Sequence, residues 1–183
     1  MLYFWKNADF FQKNENQKMI RKISIAILIV FAFKGCTKDD ICPPDTATTA
    51  NLVIAFNDIS NPTNTKNVTV LSVLTDNIDS TAVVSFENTN EIAIPLNSAS
   101  DTTKYLFKRS IISSTDTINN IDKLTFVYQR KEDYVNRACG FKVEYFNLEA
   151  SLENEGAENW IQEIIVKRDT VNDENSAHIT VLH

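Results

Sequence analysis

The chain has 183 residues and a formal net charge of −6, and 43% of its residues are hydrophobic. This length predicts about one domain. Residues 1–35 hold six of the 18 basic and two of the 24 acidic residues, so the remainder has a net charge of −10, which argues against nucleic acid as a partner.

An apolar segment follows a second methionine, Met19. Two basic residues precede the eleven-residue run 23–33, which is too short to span a bilayer as a stable helix. A positive start and a short apolar run are typical of a secretory signal peptide, so we predict one over residues 19–35. Residues 1–18 do not fit such a start and are interpreted as an upstream over-extension of the gene. The alternative for the apolar run is a buried helix or a short membrane anchor.

A cysteine stands at the end of this segment. Phe33-Lys34-Gly35-Cys36 resembles a bacterial lipobox, in which the cysteine is lipid-modified and becomes the first residue. The small Gly35 suits cleavage, whereas Lys34 departs from the small or apolar residue usual in the motif. The resemblance implies lipidation at Cys36, with the membrane as a partner through that anchor.

Lys38, Asp39 and Asp40 follow the cysteine almost at once. This order resembles the export signal of Bacteroidota surface lipoproteins, which directs such proteins outward across the outer membrane. The resemblance implies an outer-membrane lipoprotein at the cell surface; the alternative is a solvated polar tether that faces the periplasm. Two prolines and several polar residues make 36–50 a semi-extended tether.

From Asn51 onward, short apolar runs alternate with polar turn residues. Runs of four to nine residues that are rich in β-branched and aromatic side chains are typical of an antiparallel β-sandwich. We therefore predict an all-β, immunoglobulin-like antiparallel sandwich over 51–183. The predicted strands, in chain order, lie in NLVIAFN, NVTVLSVLT, AVVSFE, EIAIPL, KYLFKRS, KLTFVYQRK, RACGFKVEYF, WIQEIIVKR and HITVLH.

Two segments fit the strand pattern less simply. Residues 148–160 (LEASLENEGAENW) form the one plausible helix of the domain, although Gly156 interrupts it. Residues 127–134 (VYQRKEDY) are interpreted as a hairpin with a charged tip.

The chain has three cysteines, an odd number for an exported protein. With Cys36 lipidated, Cys42 and Cys139 remain, and in an oxidising compartment a disulfide between them is the simplest interpretation. A metal or redox pair is the alternative, but no CxxC motif and no nearby histidine support it. Because Cys139 is in phase with Phe141 and Val143, we expect the disulfide to lie against the core.

Catalytic motifs are scarce in the sequence. After Cys36 there is no phosphate-binding loop, dinucleotide fingerprint or nucleophile elbow. His178 and His183, five residues apart on one strand, point to opposite faces, so we expect core or edge histidines rather than a metal pair. Glu144 and Glu163 are the pair of carboxylates considered for general acid–base hydrolysis.

Two further sets of side chains were weighed as binding sites. Asp169, Asp173 and Glu174 are possible Ca²⁺ ligands, but their spacing matches no EF-hand loop and better fits a solvated turn. No metal and no cofactor is therefore predicted. Aromatic residues suited to stacking on sugars are expected mostly in the core; they are Tyr105, Phe107, Tyr128, Tyr134, Tyr145 and Trp160.

A short repeated pattern resembles the O-glycosylation sequon of Bacteroidota, in which Asp is followed by Ser or Thr and then an apolar residue or Thr. It occurs at Thr46, Ser80, Thr102, Thr117 and Thr170. The resemblance implies bulky sugars on the surface. The alternative is that Asp-Thr and Asp-Ser mark turns and strand ends.

The stretches CTKDDICPPDT, NLVIAFND and LTFVYQR…RACGFKVEYFN together resemble a family of small Bacteroidota lipoproteins of unknown function. The resemblance covers nearly all of residues 36–183 and implies lipidation at Cys36 and a Cys42–Cys139 bond, but no activity. Two functions remain open: a non-enzymatic binding or accessory module of the cell envelope, with a glycan or an envelope protein as partner, and an extracellular polymer hydrolase that uses paired carboxylates. We favour the first.

Overall fold

The computed structural model describes residues 21–25, 27, 41–113 and 116–183. The chain divides into two compact units, of which the first comprises Met1–Asp45 with Arg137–Cys139 and the second Thr46–Asn136 with Gly140–His183. The predicted lipidation site and export signal (Cys36, Lys38, Asp39 and Asp40) lie outside the described residues. Within the described ranges, no helix is both long and apolar enough to cross a membrane.

In the first unit, residues 21–25 and 27 are helical and belong to the predicted signal peptide. The side chains of Ile23, Ile25 and Ile27 are about half exposed. Cys42 and Cys139 are joined in a disulfide, as predicted, with their Cα atoms 4.8 Å apart.

The second unit contains ten strands among the described residues, arranged in two five-stranded sheets. The first sheet has the order β2-β1-β10-β9, with β5 also paired to β1, and the second has the order β4-β3-β6-β7-β8. The strands are β1 (Leu52–Asp58), β2 (Asn61–Thr65), β3 (Val68–Thr75), β4 (Ala82–Thr89), β5 (Glu91–Ile94), β6 (Thr102–Ile112), β7 (Thr117–Asn136), β8 (Gly140–Leu152), β9 (Glu163–Val166) and β10 (Ile179–Leu182).

The predicted all-β sandwich is confirmed, and each predicted run contains or overlaps a strand. One described pair, β1 with β10, is parallel, whereas the other pairs are antiparallel. The strand that sequence analysis missed is β2, whose residues Asn61–Thr65 are all exposed. With no apolar residue and with Pro62 in its sequence, β2 has no strand signal and is tolerated only at a sheet edge.

The core consists of the inward-facing residues at alternate strand positions. Leu124, Phe126 and Tyr128 of β7 are 0–2% exposed, which is the alternation that their sequence predicts. Of the six aromatic residues expected mostly in the core, five are buried and Tyr134 is 59% exposed. Each fully buried large apolar side chain stabilises the fold by roughly 1.5–3 kcal/mol.

The helix considered for residues 148–160 does not form. Strand β8 continues to Leu152, and only a short 3₁₀ turn, Gly156–Glu158, follows. Pairing with β7, for example between Ala150 and Phe126, satisfies the backbone groups that a helix would otherwise have to satisfy within itself. Tertiary context thus overrides a weak local preference.

The predicted hairpin tip within residues 127–134 is wrong, because this segment is a continuous part of β7. The turn lies at residues 137–139. There Gly140 adopts a φ of +72°, which glycine does without a steric penalty. The charged residues 130–133 were misleading because they are four consecutive residues in a largely exposed part of the β7–β8 ladder, in which Lys131 faces Glu144 across the strands.

The expectation that the disulfide is shielded by the core is wrong as well. Cys42 is exposed and Cys139 is only half-buried. Phe141, in phase with Cys139, is 64% exposed, and its ring contacts the exposed Tyr134 at 5.3 Å between centroids. The buried part of β8 begins only at Val143. In-phase side chains are buried only along the part of a strand that is covered by a second layer.

Candidate functional site

The loop between β5 and β6, residues 95–101, is held by three tyrosine side chains that reach it from neighbouring strands. We call this segment the clamped loop. Each phenol donates a hydrogen bond to a different, consecutive backbone carbonyl. The pairs are Tyr105 to Pro95 O at 2.7 Å, Tyr145 to Leu96 O at 3.2 Å and Tyr128 to Asn97 O at 3.0 Å. Because the tyrosines lie on β6, β8 and β7, one side of the second sheet fixes the whole start of the loop.

The rest of the clamped loop is fastened by polar side chains. The Thr103 hydroxyl accepts the Asn97 N–H at 2.8 Å and also bonds the Tyr128 hydroxyl. Arg130 donates from Nη1 to Ser98 O at 2.6 Å and from Nε to Asp101 at 2.6 Å. A loop with this many side-chain hydrogen bonds has little conformational freedom.

The three phenols stay protonated over the physiological pH range. Burial raises the pKa of Tyr105 and Tyr128, and it raises the pKa of Tyr145 to about 12. The Tyr128 and Tyr145 rings meet edge to face at 4.9 Å between centroids, a favoured aromatic geometry. The donors of the clamp are therefore fixed both in position and in protonation state.

A cleft of about 360 Å³ lies beside the clamped loop, within the size range of small-molecule sites. Asp76 is the one carboxylate in its wall, and it pairs with Lys123 at 2.9 Å; Lys123 also approaches Glu153 at 3.7 Å. Most of the lining residues carry polar side chains, which offer both hydrogen-bond donors and acceptors. The lining residues are Thr75, Asp76, Asn77, Pro95, Leu96, Asn97, Thr102, Thr103, Lys104 and Tyr105.

Comparison with known families places this region inside a recognised domain. A family model described as "Family of unknown function (DUF6452)" matches residues 67–183, which is more than half of the chain. The chain belongs to the DUF6452 family. No curated protein and no solved structure matches it. The clamped loop, its three tyrosines and the cleft all lie within the matched part of the DUF6452 domain.

The carboxylates considered for hydrolysis are not part of this cleft. Glu144 of β8 pairs with Lys142 at 2.8 Å. Glu163 is exposed on β9, opposite Leu182 of β10. The DUF6452 domain therefore does not bring these two carboxylates together with the residues that line the cleft.

The possible Ca²⁺ ligands are bound to the protein itself. Arg168 donates to both carboxylate oxygens of Asp173, at 3.0 and 2.8 Å, and this contact lowers the pKa of Asp173 to about 2. Glu174 accepts the backbone N–H and the side-chain amide of Asn51. Among the residues that the structure describes, no group of three or more His, Cys, Asp or Glu side chains is arranged to hold a metal ion.

Both histidines are core residues of the DUF6452 domain, in line with expectation. His178 is fully buried, and its Nδ1 accepts the Val53 N–H at 3.1 Å. His183 is 8% exposed and its ring lies 5.6 Å from that of Trp160. Burial lowers the pKa of both imidazoles, so both are neutral at pH 7.

None of the five sequon residues is buried. Ser80 lies in a turn with a φ of +42° and donates from its hydroxyl to Asn77 O. Thr102 and Thr117 are the first residues of β6 and β7. These positions suit a glycosylated surface and also suit residues that simply mark turns, so glycosylation stays a prediction.

Sequence reasoning placed the tyrosines in the core but did not find the clamp. Two signals were present. The run 95–101 (PLNSASD) has the composition of a loop, and buried tyrosine hydroxyls need hydrogen-bond partners. To predict the clamp from these two signals, one must know that Leu96 contacts Tyr145, 49 residues away. Sequence periodicity does not predict such long-range contacts.

Proposed function

We propose that the protein is a lipid-anchored, non-enzymatic binding module of the outer membrane, displayed at the cell surface. The anchor is supported by the lipobox-like end of the apolar run at Cys36, and the surface location by Lys38, Asp39 and Asp40.

The observation that best supports a binding role is the set of three tyrosine hydroxyls on consecutive carbonyls of the clamped loop. A rigid wall lowers the ordering cost of binding, because the loop is already in its bound conformation. The proposal places the ligand in the adjoining cleft.

The lining favours a neutral, hydroxyl-rich ligand the size of one or two sugar residues. Asp76 and Asn77 offer carboxylate and amide groups for hydroxyls, and Pro95 and Leu96 offer apolar surface for the C–H face of a sugar ring. The lining holds one carboxylate, Asp76, and one ammonium group, Lys104, so the lining itself carries no net formal charge that would select a charged ligand.

The anchor is tested by growing cells that express the full chain with labelled palmitate. We expect label in the wild type, at the mass of a chain without residues 1–35, and none in Cys36→Ala. Unlabelled wild type, or label on an unprocessed chain, would contradict lipidation. Replacing Lys38, Asp39 and Asp40 together by alanine should keep the label and remove the protein from protease attack on intact cells.

The cleft is tested on a glycan array that displays neutral and acidic oligosaccharides. Asp76→Ala should weaken binding of a neutral glycan by about tenfold or more, since it leaves a sugar hydroxyl without its acceptor. Glu153→Ala is the matched control, because it removes the other partner of Lys123 but does not line the cleft. Equal binding by both variants, or no glycan bound by the wild type, would refute the cleft as the site.

A further inference from the structure

The end of the β7–β8 hairpin carries two exposed aromatic side chains. Tyr134 and Phe141 lie directly opposite each other in the ladder, and they are 59% and 64% exposed. Their rings meet edge to face at 5.3 Å between centroids, which is a favoured aromatic geometry. The two rings therefore form one exposed apolar unit, which we call the aromatic pair.

The opposite face of the same hairpin end is charged. Asp133 lies opposite Lys142, and the Lys142 ammonium group pairs with Glu144 at 2.8 Å and with Asp133 at 3.8 Å. Because neighbouring positions of a strand point to opposite faces, these charges lie on the face away from the aromatic pair. The hairpin end is thus amphipathic.

The aromatic face becomes polar at its edge one ladder pair away. The next pair on that face is Glu132 with Val143; Val143 belongs to the core, whereas Glu132 is exposed. Two residues of a strand correspond to about 7 Å. A surface that receives the aromatic pair must therefore leave the Glu132 carboxylate in water, which a shallow contact does and a deep apolar groove does not.

The disulfide keeps this hairpin end near the anchor proposed at Cys36. Cys139 stands two residues before Phe141, and its Cα atom lies 4.8 Å from that of Cys42. The six residue steps from Cys36 to Cys42 span at most about 22 Å when fully extended. The covalent path from Cys36 to Phe141 is therefore no longer than roughly 34 Å.

Other exposed apolar residues lie at the opposite end of β7. Ile118 is 62% exposed and lies opposite Ile111 of β6, which is 47% exposed. Ile118 and Tyr134 are 16 residues apart in one continuous strand, which corresponds to roughly 50 Å. Of these two exposed apolar sites, the aromatic pair is the one that the disulfide ties closely to the anchor.

We propose that the aromatic pair contacts the interface of the bilayer that holds the Cys36 lipid, so that the domain meets the membrane at a second point. The proposal rests on the lipid anchor proposed above. Tyrosine is enriched at membrane–water interfaces, because its ring is apolar and its hydroxyl stays hydrated. Such contacts reach about 5–10 Å into the headgroup and acyl boundary, a depth that agrees with the exposed Glu132 carboxylate at the edge of the aromatic face.

Tryptophan fluorescence on vesicles tests the contact. The full chain is purified with its lipid and inserted into phosphatidylcholine vesicles, either plain or with acyl chains brominated close to the headgroup, since bromine quenches indoles that it touches. Phe141→Trp should lose intensity by about twofold or more on the brominated vesicles, because an interfacial ring lies within reach of these bromines. Ile118→Trp is the matched control and should keep its intensity. Trp160 is 3% exposed and adds the same background to both variants.

A charge beside the reporter distinguishes insertion from mere proximity. In the Phe141→Trp chain, Tyr134→Asp should restore the intensity measured on plain vesicles, because an aspartate is costly to insert while the lipid still holds the chain on the vesicle. Ile118→Asp in the same chain should leave the quenching unchanged. All three positions are exposed, so these substitutions do not reach the core.

The outcomes separate the membrane contact from the anchor. A chain whose mass shows no lipid and that does not float with the vesicles would refute the anchor, and the contact with it. A lipid-bearing chain in which Phe141→Trp is not quenched, or is quenched no more than Ile118→Trp, would overturn the contact alone. Quenching that persists with Tyr134→Asp would do the same, because it would show that the reporter is near the membrane without inserting.

Discussion

The clamped loop, residues 95–101, and the turn at residues 137–139 are fastened in opposite ways. The loop is held by buried, non-covalent contacts in which three phenols donate to three carbonyls. The turn holds Cys139, whose covalent bond to Cys42 lies where one sulfur-bearing residue is exposed and the other half-buried. The hydrogen bonds of the clamped loop depend on the exclusion of water, whereas the disulfide does not. Different conditions should therefore break the two.

Removing the disulfide should have the largest effect. The bond closes a separation of 97 residues, for which the chain-entropy account gives about 4–5 kcal/mol of stabilisation. We expect Cys42→Ser with Cys139→Ser to lower the free energy of unfolding by up to that amount, measured in urea. A mild reductant should do the same to the wild type without prior unfolding, because Cys42 is exposed. A reductant that acts only after the domain unfolds would contradict this accessibility.

The clamp should be weakened by removing one hydroxyl. Tyr145→Phe keeps the buried ring but leaves the Leu96 carbonyl without its donor, which should cost about 1–3 kcal/mol. The measurement is chemical unfolding, together with amide hydrogen exchange of the loop. Tyr134→Phe is the matched control, since Tyr134 is exposed, and it should change stability by less than about 0.5 kcal/mol. Equal effects of the two variants would mean that the clamp adds nothing to stability.

The same contrast explains what could be predicted from sequence. Strand β7 was found because Leu124, Phe126 and Tyr128 alternate with polar residues, and alternation is a local property. The Cys42–Cys139 bond was found because two cysteines remained once Cys36 was assigned to the lipid. The clamp was missed because its partners meet only when β5, β6, β7 and β8 are assembled, and its acceptors are backbone carbonyls that any residue could supply.

The errors also have physical causes. The charged residues at 127–134 resembled a turn because consecutive charged residues usually mark a solvent-exposed loop, but here they lie in an exposed part of the long β7–β8 ladder. Residues 148–160 resembled a helix by composition, yet pairing with β7 decided the conformation. In both cases the local sequence pattern predicted solvent exposure correctly, but it could not predict which strand would pair with the segment's backbone.

Acid should lower the stability of the buried core, where His178 lies, and should leave the disulfide-bonded turn at residues 137–139 unaffected. Burial holds the pKa of His178 below the usual value of 6.5, so the folded state resists a proton that the unfolded chain accepts. The stability that the neutral His178 imidazole contributes is fully present above pH 6.5. It is lost as the pH falls below 6.5, by up to about 1.4 kcal/mol per pH unit.

His178→Asn tests this, because an amide oxygen can still accept the Val53 N–H. The variant should show a shallower loss of stability between pH 6.5 and 5 than the wild type, with the remaining slope due to His183, whose pKa is also lowered by burial. Unfolding curves at several pH values measure it. An unchanged slope would show that His178 takes up its proton freely in the folded state.

The smallest effect is expected at Asp122, a core residue whose hydrogen-bonding groups are less completely paired than those of the clamped loop. Asp122 is fully buried, and one oxygen accepts the Ile161 N–H at 2.7 Å. The other oxygen has no hydrogen-bond partner among the described residues, and burial raises the pKa of the carboxyl. A charged Asp122 therefore costs stability in the folded state, and that cost grows as the pH rises above 3.8.

Asp122→Asn removes the charge and keeps an acceptor for Ile161, so it should raise the free energy of unfolding at pH 7 by about 0.5–1 kcal/mol. Asp122→Ala is the contrasting variant, since it leaves the buried N–H of Ile161 unpaired and should destabilise the domain by about 1–3 kcal/mol. If both variants destabilise equally, the charge itself is favourable, and the second oxygen must then gain a partner when the protein is in water. If only Asp122→Ala destabilises the domain, the useful contribution of Asp122 is its hydrogen bond to the Ile161 N–H and not its charge. The tyrosines of the clamped loop make their backbone hydrogen bonds with neutral phenols, without burying a charge.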